Sequence, residues 1–357
     1  MTAIMIANSR LYQQHLSHHP FLTPAEVVAS LGAVQAQDYL GAKWALGLRM
    51  QNATDAIVER ALTEGTILRT HVMRPTWHFV APADIRWLLE LTASRVKTKL
   101  VTMDRRLELD KALLLRSYAV ITDALRGGSQ LTRVELGSAL AQSGIVAKGL
   151  RLIHILMHAE LDALICSGPR HGKQFTYMLL DERVPPARAL NHDEALTELV
   201  RRFYTGHGLA TVNDFVWWSG LTVADAKAGI AMLGSYLIPQ VIDGQTCWFS
   251  ASATPEAEPC QEAFLLPTFD EFIIGFAAFD QSRRGGLVAS KNGIFDPSLV
   301  IGGQVVGSWR RSFKKGIVIV ELAPFASLTS ANAEAVQDAA YRYGKFLDMS
   351  VTLTGNS

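Results

Sequence analysis

Gln35 and Gln37 stand two apart in the segment Leu31-Gly32-Ala33-Val34-Gln35-Ala36-Gln37-Asp38. In a helix they would point about 200° apart, but in an extended segment both face the same way. Gly32 supplies a plausible break after the apolar run that ends at Leu31. Each carboxamide offers one carbonyl acceptor and one amide donor, so a converging pair could hold and aim a single water. The spacing alone leaves a surface or capping role open. His154 and His158 lie four apart on one helical face, a spacing that can chelate a metal, but no third ligand is evident and a recognition-helix or core pair is the plainer reading. There is no Gly-x-Gly-x-x-Gly, phosphate loop, His-Glu-x-x-His or Gly-x-Ser-x-Gly. Neither a metal nor an organic cofactor is expected.

The elements around these residues repeat. A predicted helix over 113–125 ends at Gly127-Gly128, and Thr132 with Glu135 makes a capping box for a second. A third begins near Lys148, with apolar residues at Leu152, Ile155, Leu156 and Ala159. Strands over 164–166 and 175–179 flank a basic turn carrying Arg170, His171 and Lys173. Three helices and a hairpin make a winged helix. The order recurs downstream: a helix over 193–204, capping pairs Thr211/Asp214 and Thr222/Asp225, and strands over 236–242 and 245–249 around Asp243-Gly244. Helices over 10–15, 24–31, 42–49 and 55–64 and a hairpin over 67–80, interrupted at Arg74-Pro75, give a looser first unit. After about residue 262 the pattern becomes strand-like, over 263–266, 272–276, 299–306, 317–322 and 346–353, with one helix over 331–343. The expected fold is mainly α with β (α+β): winged helices over 1–110, 111–185 and 190–252, then a β-barrel-like region over 262–357.

The chain has 357 residues and a formal charge of +1 from 34 Lys+Arg and 33 Asp+Glu. That balance conceals unlike regions: residues 69–116 are net +5 and residues 283–315 net +6, so the remainder is net negative. Two basic segments beside winged helices fit a phosphate backbone; a solvated face or pairing with the acidic regions is the alternative. Arg283-Arg284-Gly285-Gly286 stands out, because glycines let a basic loop approach a backbone closely. Three dispersed cysteines, Cys166, Cys247 and Cys260, fit neither a disulfide scaffold nor a Cys-x-x-Cys site. The expected setting is cytoplasmic, with no signal peptide and no membrane span. The most apolar stretch, 264–279, carries Asp270 and Glu271 in its middle.

Four segments in order, 31–38, Met73-Arg74-Pro75-Thr76-Trp77-His78-Phe79, Leu265-Leu266-Pro267-Thr268-Phe269-Asp270-Glu271 and 302–310 ending Gly307-Ser308-Trp309-Arg310, resemble the winged-helix DNA glycosylases of the azinomycin-resistance, crosslink-unhooking (AlkZ-like) type. The resemblance covers nearly the whole chain. Pro75 stands where a small residue, usually Gly, is expected. The resemblance implies three tandem winged helices and a β-barrel in a C-shaped molecule with a DNA-binding channel. It implies Gln35 and Gln37 as the catalytic Gln-apolar-Gln, and a monofunctional glycosylase that removes bulky or crosslinked N7-alkylpurines from double-stranded DNA, acting as a monomer. Arg74 and Arg310 are candidate backbone contacts from the family segments, and Arg283, Arg284 and Lys291 from local charge. The alternatives are a non-catalytic winged-helix DNA-binding regulator and a small-molecule binder with Trp44, Trp217 and Trp218 lining its channel.

Overall fold

Three sheets of three strands and one of five organise the described residues. The computed structural model describes residues 3–252, 260–277 and 296–355. The first module holds helix α1 (Ala3–Gln13), α2 (Pro24–Leu31), strand β1 (Val34–Gln35), α3 (Tyr39–Gly47), α4 (Asp55–Glu64) and the hairpin β2 (Leu68–His71) and β3 (Trp77–Val80). Residues 85–106, for which no element is expected from the sequence, form the 22-residue helix α5 (Ile85–Arg106).

The second module runs α6 (Lys111–Leu125), β4 (Leu131–Thr132), α7 (Arg133–Gln142), α8 (Leu150–Leu161), β5 (Ile165–Ser167), β6 (Thr176–Leu179) and the single turn α9 (Leu180–Arg183). The third runs α10 (His192–Gly206), β7 (Ala210–Thr211), α11 (Val212–Ser219), α12 (Val223–Leu233), β8 (Leu237–Ile242) and β9 (Gln245–Ser250). In each of these modules the short early strand pairs with the last strand of the hairpin. The capping boxes at Thr132/Glu135, Thr211/Asp214 and Thr222/Asp225 all form, satisfying helix N–H groups that would otherwise lack partners.

The C-terminal region departs from expectation. It comprises β10 (Ala263–Leu266), α13 (Glu271–Ile274), β11 (Ser298–Ile301), β12 (Gln304–Lys314), β13 (Ile317–Pro324), α14 (Ser330–Leu347) and β14 (Ser350–Gly355). The strand expected over 272–276 is instead the short helix α13, because Asp270 accepts from the backbone N–H of Phe272 and starts a helical turn. The strand expected over 299–306 is a hairpin folded at Gly302-Gly303, whose φ of +57° and +74° suits the primed turn of a two-residue connection. Among the described residues the region is no closed barrel. Its strands lie in the order β10-β11-β12-β13-β14, with β14 parallel to β13 through the α14 crossover. A buried stripe of α14, including Val336, Ala340, Tyr343 and Phe346, covers one face of the sheet, so apolar burial is achieved without closure.

Apolar packing crosses the module boundaries. One core joins α2, α3 and α4 to the C-terminal sheet and α14, while another joins the first hairpin and α5 to α10 and α11. Trp44 and Trp309 are buried and donate to the β10 carbonyls of Leu265 and Leu266 at 2.7 and 2.9 Å. Trp218 is fully buried, so Trp44 and Trp218 are core residues, not the lining of a ligand channel. His154 and His158 both bond Asp104 of α5 at 2.9 Å, joining α8 to α5. No group suited to a metal ion occurs among the described residues.

A buried ion pair locks the C-terminal region to the first module. Arg49 donates from both terminal nitrogens to Asp270 at 2.9 Å, and also bonds the carbonyls of Gln14 and Ala45. Both side chains are sealed from solvent. The Arg49→Ala variant leaves Asp270 as an uncompensated buried charge and is expected to destabilise the protein by about 3–5 kcal/mol. A chemical-denaturation midpoint unchanged from wild type would contradict this.

Candidate functional site

Gly32 ends α2 with a φ of +81°, where a residue with a Cβ is strained, and turns the chain into β1. Gln35 pairs with His78 of β3 in antiparallel register, and the ladder continues as the Ala36 N–H donates to the Trp77 carbonyl at 2.6 Å. The segment is therefore extended through Ala36, the conformation that turns residues 35 and 37 to one side. Their environments differ. Gln35 is buried whereas Gln37 is exposed.

Gln35 is held at two points. Its backbone N–H donates to Glu271 Oε1 at 2.8 Å, and its side-chain oxygen accepts from Arg74 Nη2 at 2.7 Å. Gln37 is held loosely, its oxygen lying 3.4 Å from the Trp77 backbone N–H. Asp38, next along, pairs with Arg311 of β12 at 2.9 Å and fixes the end of the segment to the C-terminal sheet.

Glu271 is fully buried at the junction of the first module, the third module and the C-terminal region. Its second oxygen accepts from Trp218 Nε1 at 2.9 Å and lies 3.3 Å from His207 Nε2. Burial pushes its pKa up, but His207, the Gln35 N–H and the Arg74 charge together outweigh that and hold it below the usual carboxylate range. Arg74 is drawn the other way: burial lowers its pKa, and Glu271 opposes the loss of charge.

The loop that carries Arg74 is shaped by its neighbours. Met73 has a φ of +62°, and its N–H donates to Thr92 Oγ1 of α5 at 3.1 Å. Gly220, ending α11 at φ +72°, sits so close that a Cβ would lie 2.4 Å from the Met73 carbonyl oxygen. A side chain there would displace the loop. On the opposite face of the hairpin, Arg69 bonds the Ala36 carbonyl at 3.1 Å and lies 4.2 Å from the centre of the Trp77 ring, while His71 bonds Glu160 of α8.

His78 is buried beside Gln35. Its Nδ1 lies 3.0 Å from the Thr76 carbonyl, which can only accept, so Nδ1 carries the proton. Its Nε2 has no partner among the described residues, nor do Arg74 Nε, Thr70 Oγ1 and Thr76 Oγ1. Burial, assisted by the Arg74 charge, lowers the His78 pKa to about 3.

The structure thus groups Gln35, Gln37 and Arg74. Arg310 is exposed on β12 and pairs with Asp296 at 3.4 Å, while Arg283, Arg284 and Lys291 lie outside the described residues. Sequence reasoning gave no role to Glu271, His207 or His78, and placed Trp218 only in the lining of a small-molecule channel. The available signal was a pair of carboxylates inside the most apolar stretch of the chain, since buried charges require partners. It also passed over Arg95 and Lys99, exposed one turn apart on α5. Burial lowers the Lys99 pKa, as do the charges of Arg95 and Arg74.

A family model described as DNA glycosylase AlkZ-like matches residues 28–346. An interstrand DNA cross-link repair glycosylase from Streptomyces sahachiroi is 24% identical over 320 residues, covering 84% of this chain and 85% of the relative. The solved structure of the Streptomyces sahachiroi DNA glycosylase AlkZ has a similar fold, with a TM-score of 0.79 at 20% identity over 99% of this chain and 100% of that one.

His78, at about 3, and His15, lowered by burial, His18 and Arg49 to about 4, both lie below the ordinary histidine value near 6.5. The unfolded chain therefore takes up these protons first as the pH falls. Stability is full above about pH 6.5 and declines toward pH 4. Below that, protonation of Glu271 adds a further loss. The His78→Gln variant is expected to flatten the decline of thermal midpoint between pH 6.5 and 4; an unaltered slope would count against this assignment.

Proposed function

The chain belongs to the AlkZ-like DNA glycosylase family, and on that premise we propose that it hydrolyses the N-glycosidic bond of bulky or crosslinked N7-alkylpurines in duplex DNA with a water held by Gln35 and Gln37. The observation that carries this reading is the pairing of one buried, clamped amide with one exposed, loosely held amide two residues along an extended segment. The S. sahachiroi relative, named for interstrand cross-link repair, supports the substrate class.

The chemistry suits neutral side chains. A purine alkylated at N7 carries a positive charge, so when the bond from sugar C1′ to the base nitrogen breaks, the bonding pair neutralises the ring and the base leaves without added protonation. The sugar becomes oxocarbenium-like. Water then forms the new C1′–O bond and loses a proton to solvent. What the protein must supply is a water in place on the face opposite the base, which is positioning, not strong basicity. Gln37, nearer to solvent, is the larger contributor.

In this reading the three modules are winged helices, as the shared strand order and capping boxes support. The chain acts as a monomer with the duplex in a channel. Arg310 contacts the DNA backbone, together with Arg283, Arg284 and Lys291, which are assigned on charge alone.

Incubating the protein with duplex carrying one N7-alkylguanine should give strand breaks only after alkaline treatment. The double change Gln35→Ala/Gln37→Ala should slow single-turnover excision by about 100-fold or more while DNA binding largely survives. Unaltered excision in the double variant would refute the role of the two amides. Arg310→Ala should weaken binding to all sequences alike and lower the salt slope by about 0.9; an unchanged slope would remove Arg310 from the interface.

A further inference from the structure

The two ends of the Gln35 side chain are not equivalent. Guanidinium groups only donate hydrogen bonds, so the atom that meets Arg74 Nη2 at 2.7 Å must be the amide oxygen. The orientation of the amide is therefore set by the chemistry of its partner. The NH2 end has no protein acceptor among the described residues. Arg74, in turn, is largely withdrawn from solvent and keeps its charge against burial through Glu271. The same Glu271 carboxylate grips the Gln35 backbone at 2.8 Å. One guanidinium and one carboxylate, contributed by segments far apart in sequence, thus fix both the backbone and the amide of this residue.

We infer that Arg74 is a positioning residue that presents the NH2 of Gln35 to the reactive water, so that Gln35 is the hydrogen-bond donor of the pair and Gln37 the acceptor. This rests on the water-positioning reading above and assigns the two amides opposite roles. A water about to attack C1′ needs one lone pair free. A donor from Gln35 occupies its other lone pair, and the Gln37 carbonyl takes one of its hydrogens, leaving one lone pair for the attack and one hydrogen to be lost to solvent. Two donors would occupy both lone pairs and leave none for the attack. Gln37 can take its part because its only bond among the described residues, to the Trp77 N–H, is long at 3.4 Å. Arg74, although basic and within a segment expected to grip DNA, commits Nη2 to the Gln35 oxygen and is largely withdrawn from solvent.

Gln35→Glu and Arg74 variants separate these ideas on duplex with a single N7-methylguanine, using single-turnover excision at saturating protein and the salt dependence of binding. In Gln35→Glu the oxygen that bonds Arg74 is kept and the donor is lost, so excision should fall as far as in Gln35→Ala. Arg74→Met should slow excision by about 10- to 100-fold, the loss of one hydrogen bond to a charged group, with affinity and salt slope unchanged. Arg74→Lys should restore part of the rate. The inference is overturned if Gln35→Glu retains wild-type excision while Gln35→Ala does not. It is also overturned if Arg74→Met excises normally at saturation and loses about 0.9 of salt slope, the behaviour of a phosphate contact. Should Arg74→Met fail to fold, the Gln35→Glu comparison decides the matter alone. A wild-type protein that releases no base would instead overturn the proposed function itself.

Discussion

Two adjacent carboxylates without access to solvent constrain this structure more than any other feature. Asp270 and Glu271 are both fully buried, and an ionised carboxylate in such a place is tolerated only when surrounded by cations and donors. Apart from the Phe272 N–H that Asp270 caps, their partners are distant in sequence: Asp270 takes the guanidinium of Arg49, while Glu271 takes the Gln35 backbone, the Trp218 indole and His207. Satisfying the pair therefore requires the first module, the third module and the C-terminal segment to meet at one point. Gln35 lies at that point.

The β1-β3-β2 sheet divides the surroundings of the site between its faces. Alternation places Gln35, His78 and Thr70 in one cross-strand row, toward Arg74, Glu271 and the third module, and places Trp77, Arg69 and His71 on the other. The second face is closed by the second module, through the His71–Glu160 contact and the bond from the Arg69 N–H to Ser167 Oγ at 2.8 Å. A hairpin gripped on both faces is a rigid support for the Gln35 amide.

Legibility in the sequence followed the range of the interaction responsible. Helix starts at Thr132, Thr211 and Thr222 and the turn at Asp243-Gly244 depend on neighbours within a few residues, and they appear where the local pattern puts them. Helix α5 is not among the expected elements, although Ile85, Leu88, Leu89, Val96 and Leu100 keep helical spacing between its charged residues; that stripe is buried against other modules. The strand expected over 272–276 is absent because Asp270 caps a turn of helix, and the strand expected over 346–353 forms only from Ser350 because α14 continues to Leu347. The extended path of residues 34–36 could be argued from Gly32. The partner of the Gln35 amide could not, because Arg74 lies 39 residues away and its basic charge suggested DNA.

Charge at the site is thereby separated by depth. Behind Gln35, Arg74 and Glu271 offset each other, and His78 stays neutral because burial has lowered its pKa so far. In front stands Gln37, uncharged and exposed. A carboxylate at the front would stabilise a cationic sugar more strongly, but it would also sit close to the phosphates of a bound strand and repel them. On the proposed chemistry, neutral amides avoid that repulsion, and their weaker stabilisation suffices because the departing base already carries positive charge. On the proposed reading, the strong charges determine geometry behind the site, and the reacting atoms meet amide dipoles that those charges orient.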